Sequence, residues 1–133
     1  MKFKYLFFLL SFVSCQSKVQ NEYAIKIRDL IGKDFENSKI ILLSTTDCTS
    51  CNEGKINRVV TKGEIDYIVI VENEYLKMTA SNKDLLNNYK KMVKSIVYTT
   101  DNGLIEKAVE LSGSKMGPFI VSINENNVSI QVI

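Results

Sequence analysis

The sequence has no histidine, one proline and only three cysteines in 133 residues. A zinc site normally takes four ligands from cysteine, histidine and carboxylate. With no histidine and no second cysteine pair, no metal centre and no cofactor are expected. No apolar stretch reaches the roughly 20 residues that a membrane-spanning helix needs; the unbroken run from Tyr5 to Leu10 is far shorter. There is no internal repeat and no low-complexity segment, so the chain has room for a single domain and little else.

The beginning is not part of that domain. In "MKFKYLFFLLSFVSC", Lys2 and Lys4 precede a short apolar core and small residues, which is the layout of a secretory signal over residues 1–14. The stretch Phe12-Val13-Ser14-Cys15 resembles a bacterial lipobox, with Phe12 where leucine is usual. The resemblance implies that Cys15 is lipidated and becomes the first residue, anchoring the chain at the bacterial cell envelope, on its periplasmic or outer surface. An ordinary signal peptide that happens to contain a cysteine is the alternative. Residues 15–22 then form a polar lipidated tether and 23–133 the domain. Removing residues 1–14 takes away two lysines and no acid, so 17 basic against 15 acidic residues becomes 15 against 15. No basic stripe remains for nucleic acid, which is excluded as a partner. Membrane contact comes from the lipid.

Tyr23, Ile27, Leu30 and Ile31 recur at helical spacing, and Gly32 ends that helix. "KIILLS" (39–44) and "IDYIVIV" (65–71) are continuous apolar runs, suited to strands buried on both faces. Between them Ile56, Val59 and Val60 form a helical stripe that stops at Gly63. Ser81 and Asp84 read as a capping box for a helix carrying Leu85, Leu86, Tyr89, Met92 and Val93 on one face. "SIVYT" (95–99) is a shorter strand. Asp101 or Asn102 caps a helix with Leu104, Ile105, Ala108 and Val109. From Pro118 to about Ile123 and from Val128 to Ile133 the chain reads as a hairpin turning at Asn124–Asn127. Alternating helices and strands predict an α/β fold: a central mixed sheet with helices on both faces.

Cys48 and Cys51 sit at the start of the helix that follows the first strand. There the backbone N–H groups are unpaired and the dipole favours negative charge, so a thiolate is stabilised. In an oxidising compartment this pair cycles between dithiol and disulfide, Cys48 attacking and Cys51 resolving. Lys55, one turn beyond Cys51, assists ionisation, and Asp47 opposes it. A purely structural disulfide is the competing use, although one that closes so small a loop stabilises little. Chance spacing is the other. Pro118, the single proline, opens an apolar strand, one of the few places where a strand accepts proline. Taken alone it is a trans proline marking a strand start, since only about 5–6% of such bonds are cis.

A strand, C-x-x-C at a helix start and a proline opening a hairpin resemble the thioredoxin fold over roughly residues 23–133. The strand–helix–strand stretch from Ile65 to Thr99 is similar to the membrane-anchored thiol–disulfide oxidoreductases of the bacterial envelope. The resemblance implies an enzyme that reduces or exchanges disulfides of client proteins, recharged by a redox partner protein. Cys48 is then the nucleophile, Cys51 the resolving thiol, and Pro118 a cis-proline beside them. Gly117 offers its backbone to an extended client segment. The chain departs from the family in four places. Asp47 stands where tryptophan is usual, Leu42 where a buried acid falls six residues before the first cysteine, and Gly54 where some anchored relatives carry an acid, with Glu53 one position early. The family's C-terminal helix is absent, so one sheet face beside the hairpin is expected to expose apolar surface. The alternative function is a non-catalytic thioredoxin-fold lipoprotein, a binding module with a static disulfide.

Overall fold

The computed structural model describes residues 18–32, 37–47, 49–73, 80–125 and 127–133. Helix α1 occupies 18–31. It is followed by β1 (Ser38–Ser44), α2 (Thr49–Thr61), β2 (Tyr67–Val71), α3 (Ala80–Tyr89), β3 (Ser95–Thr99), α4 (Gly103–Ser112), β4 (Phe119–Asn124) and β5 (Asn127–Val132). The five strands form one sheet in the order β3-β2-β1-β4-β5. β1 pairs in parallel with β2, and β2 with β3, while β4 runs antiparallel to both β1 and β5. The expected mixed α/β sheet is therefore present.

The apolar runs explain the layering. Side chains alternate across a strand, so Ile40 and Leu42 of β1 join Val69, Phe119 and Val121 beneath α1 and α4. Ile41 and Leu43 join Ile68 and Ile70 beneath α2 and α3. Tyr23, Ala24 and Ile27 of α1 and Leu104 and Ala108 of α4 seal the first face; Ile56 and Val60 of α2 and Leu86 and Tyr89 of α3 seal the second. Gly32 and Gly63 end α1 and α2 with φ of 118° and 69°, conformations that glycine adopts without a Cβ penalty.

Four expectations change. Residues 18–22, expected as tether, belong to α1. Ser81 lies inside α3 rather than before it, because the helix is already formed at Ala80. The helix ends at Tyr89, where Met92 and Val93 both donate to the Tyr89 carbonyl in a closing turn, and Met92 is left half exposed. Finally, the hairpin's face on the α2 side is mixed rather than openly apolar, with Ile120 and Ile133 half-buried against the α2–α3 cluster. Ser122 lies opposite Ser129, and Ile120 opposite Gln131. Ser129 and Gln131 are exposed and polar, which suits a sheet face left open to water.

At α4 the cap falls to Asp101. Asn102 holds the N-cap position without a side-chain hydrogen bond, whereas Asp101 Oδ1 accepts from the Gly103 N–H at 3.0 Å. Lys26 of α1 lies 2.8 Å from the same carboxylate. This lysine, ahead of the Gly103 N–H, holds the Asp101 carboxyl below its usual range. Asp101→Ala should therefore lower stability by about 0.5–2 kcal/mol, the usual cost of a lost cap; the exposed Lys26 pair adds little. A depressed carboxyl stabilises the fold above its unfolded-state pKa, and that contribution disappears as pH falls through the folded-state value. Thermal melts should thus show the full deficit at pH 7 and a shrinking one below the ordinary aspartate range.

Candidate functional site

Two segments meet at the edge where β1 ends. The β1–β4 pairing ends with Leu42 opposite Phe119, so Gly117 and Pro118, which immediately precede Phe119, lie at the edge where β1 runs out through Leu43 and Ser44. The Gly117–Pro118 peptide is cis, as expected, and Pro118 is buried. The Ile133 N–H donates to the Pro118 carbonyl at 2.9 Å, fixing the other side of this segment. Gly117 has a steric reason to be glycine. A Cβ there would lie 2.8 Å from Cδ2 and Cε2 of the Phe119 ring, which is fully buried and has nowhere to go.

From Ser44 the chain turns into α2 through a tightly bonded loop. The Asp47 N–H donates to the Ser44 carbonyl at 2.9 Å, and the Ser44 N–H donates to Asp47 Oδ2 at 2.8 Å. Thr45 bridges to β2: its N–H donates to the Val71 carbonyl, and its hydroxyl accepts from the Asn73 N–H. The loop is thereby fixed at both ends of its short path. Cys51 lies in the first turn of α2, exposed and disulfide-bonded. No acidic residue occupies that turn, so no carboxylate there competes with the helix dipole. Cys48 and Cys15 lie outside the described residues. They are the other two cysteines of the sequence.

Asp47, expected as a charge opposing ionisation of Cys48, also closes the loop on Ser44, which the motif alone does not show. Proximity to Cys48 marks it as an opposing charge, but its reciprocal bonding with Ser44 depends on the fold of the loop. Burial pushes its carboxyl above the usual range, opposed by the Ser44 N–H. Its ionised form therefore costs stability at neutral pH, and the cost is relieved as pH falls. An asparagine in its place would keep an oxygen to accept from Ser44 while removing the charge. In the reduced protein, Asp47→Asn should speed iodoacetamide alkylation of Cys48 at pH 6 roughly two- to threefold, because the gain in thiolate outweighs a partial loss of nucleophilicity. The melting temperature at pH 7 should not fall. An unchanged rate would remove Asp47 from the chemistry of the pair.

The two positions at which the resemblance to thioredoxins would place an acid carry none. Leu42 is buried in the cluster under α1 and α4, and Gly54 is exposed on α2. Glu53, also exposed, instead acts on Tyr89 of α3, where burial and then the Glu53 charge raise the phenol's pKa. An open groove of about 420 Å³, bordered by Asn37, Lys39, Asp66 and Ser122, lies at the opposite edge of the sheet. Beside it the Lys39 N–H donates to Asp66, and Lys94 pairs with the same carboxylate. Among the described residues no helix is long and apolar enough to cross a membrane. No protein-family model, curated protein or solved structure matches the chain.

Proposed function

We propose that this protein is a thioredoxin-like thiol–disulfide oxidoreductase of the bacterial envelope, attached to the membrane through a lipid on Cys15. In this reading Cys51 pairs with Cys48. The observation that carries it is the β1–β4 register, which brings Gly117-Pro118 to the strand end that leads directly into the cysteine helix. The chemistry balances as an exchange. The Cys48 thiolate attacks one sulfur of a client disulfide, and the other client sulfur leaves as a thiolate. Cys51 loses its proton and attacks the Cys48 sulfur, releasing the second client thiolate and closing the Cys48–Cys51 bond. The client gains two electrons, the pair loses two, and a redox partner protein with thiols restores them. An extended client strand alongside Gly117 orients the disulfide.

A second reading has an observation in its favour. Leu42 fills with hydrocarbon the place where the family keeps a buried acid for proton transfer. A binding module with a static Cys48–Cys51 bridge needs no such acid. Turnover decides between them. With dithiothreitol as reductant, catalytic amounts of the protein should accelerate reduction of a soluble protein disulfide well above the uncatalysed rate. A protein whose disulfide is reversibly reduced but which gives no acceleration is the binding module.

A further inference from the structure

The path of α1 orients the domain. In its first half, Tyr23 donates to the Leu104 carbonyl at 3.1 Å, and Lys26, just past the midpoint, reaches back with its long side chain to pair with Asp101. Both partners lie at the beginning of α4, just after β3 ends. Further along, Arg28 donates to the Glu125 carbonyl, in the turn between β4 and β5. Ser38 pairs with Ile123, so that turn lies at the opposite edge, where β1 begins. Helix α1 thus runs from the edge bearing the cysteine loop towards the far edge, and its described start at residue 18 belongs to the cysteine edge.

Only three residue steps separate Cys15 from Lys18, a span of at most about 11 Å. The seven residues of β1 set the two edges about 20 Å apart. A lipid on Cys15 therefore reaches the bilayer beside the cysteine edge and not the far one. The side chains agree in part. Met116 and Val132, 71% and 45% exposed, flank the Gly117-Pro118 segment and suit the headgroup boundary. The far edge gathers exposed Lys39, Lys62, Lys90, Lys91 and Lys94, which an anionic surface would attract. The short connection opposes that attraction, because the far edge cannot turn to the membrane without carrying the anchor away from it.

We infer that the edge bearing the cysteine pair faces the bilayer, so that the disulfides it serves are those held at the membrane surface. This rests on the lipid at Cys15 proposed above. The test uses the full lipidated chain on phosphatidylcholine vesicles, compared with the same chain in detergent, with lysine acetylation read by mass spectrometry. Lys18 and Lys115, on the near side, should label several-fold more slowly on vesicles, while Lys62 and Lys91 keep their rates. Reduction of a soluble protein disulfide should also be several-fold slower on vesicles. A Gly/Ser insertion of about a dozen residues after Gln16 should restore both. Even protection, or protection of Lys62 and Lys91 instead, overturns the orientation while leaving the oxidoreductase reading intact, because labelling does not depend on turnover. A chain with no lipid at Cys15 overturns membrane attachment and the orientation together.

Discussion

Replacing Cys48 by serine should lower disulfide-exchange turnover by on the order of a thousandfold or more, the usual scale for loss of a nucleophile. Replacing Cys51 should instead stop the cycle halfway. In the Cys51→Ser protein the Cys48 thiolate still attacks a client disulfide, but no neighbouring thiol is present to expel the client. A mixed disulfide should accumulate and be visible as a species on non-reducing gels that collapses with dithiothreitol. The asymmetry follows from position. Cys51 is held in the first turn of α2, within reach of the preceding residues of the same loop, and the Asp47–Ser44 bonds keep that loop closed. If Cys48→Ser traps clients and Cys51→Ser does not, the two roles are exchanged.

Phe119→Ala should be the most damaging change away from the cysteines. Phe119 is fully buried in the cluster that α1 and α4 share with the sheet. Removing a buried phenyl ring costs about 3–5 kcal/mol through lost transfer energy and the cavity left behind. That is a large part of a typical total of about 5–15 kcal/mol. The midpoint of thermal unfolding should fall by on the order of 10–20 °C. The ring also closes over Gly117, so its loss frees the backbone beside the cysteine loop. Exchange activity should therefore decline at temperatures where the mutant is still folded. A melting point within a few degrees of the parent would contradict this account of the core.

Several elements were legible because one physical cause dominated each. β1 and β2 are buried on both faces and read as unbroken apolar runs. Gly32 and Gly63 stop helices by adopting positive φ. The hairpin turns close to the expected place, with Glu125 taking a φ of 56°. The misreadings arise where local pattern is silent or meets tertiary context. Residues 18–22 are polar except Val19 and carry no stripe of their own, yet they continue the helix that Tyr23 and Ala24 dock. Met92 fits the face of α3, but the chain turns at Tyr89 and carries it outward. In "NVSIQV" the period-two alternation turns Ser129 and Gln131 to one side; which side each alternate residue faces becomes clear only from pairing with β4. Asp101 rather than Asn102 caps α4 because its Oδ1 accepts from the Gly103 N–H, a choice that the two adjacent candidates leave open in the sequence. At the site, the residue types of the cysteine pair and Gly117-Pro118 were visible in the sequence, whereas their common edge and the Asp47–Ser44 closure come from strand register and loop geometry.

The reduction potential of the Cys48–Cys51 pair, measured by equilibration against glutathione or dithiothreitol buffers, tests the central claim most directly. A pair built to cycle should fall between about −120 and −270 mV, the span of established exchange catalysts. A value below about −300 mV is that of a structural bridge, and would contradict an enzymatic role for these cysteines.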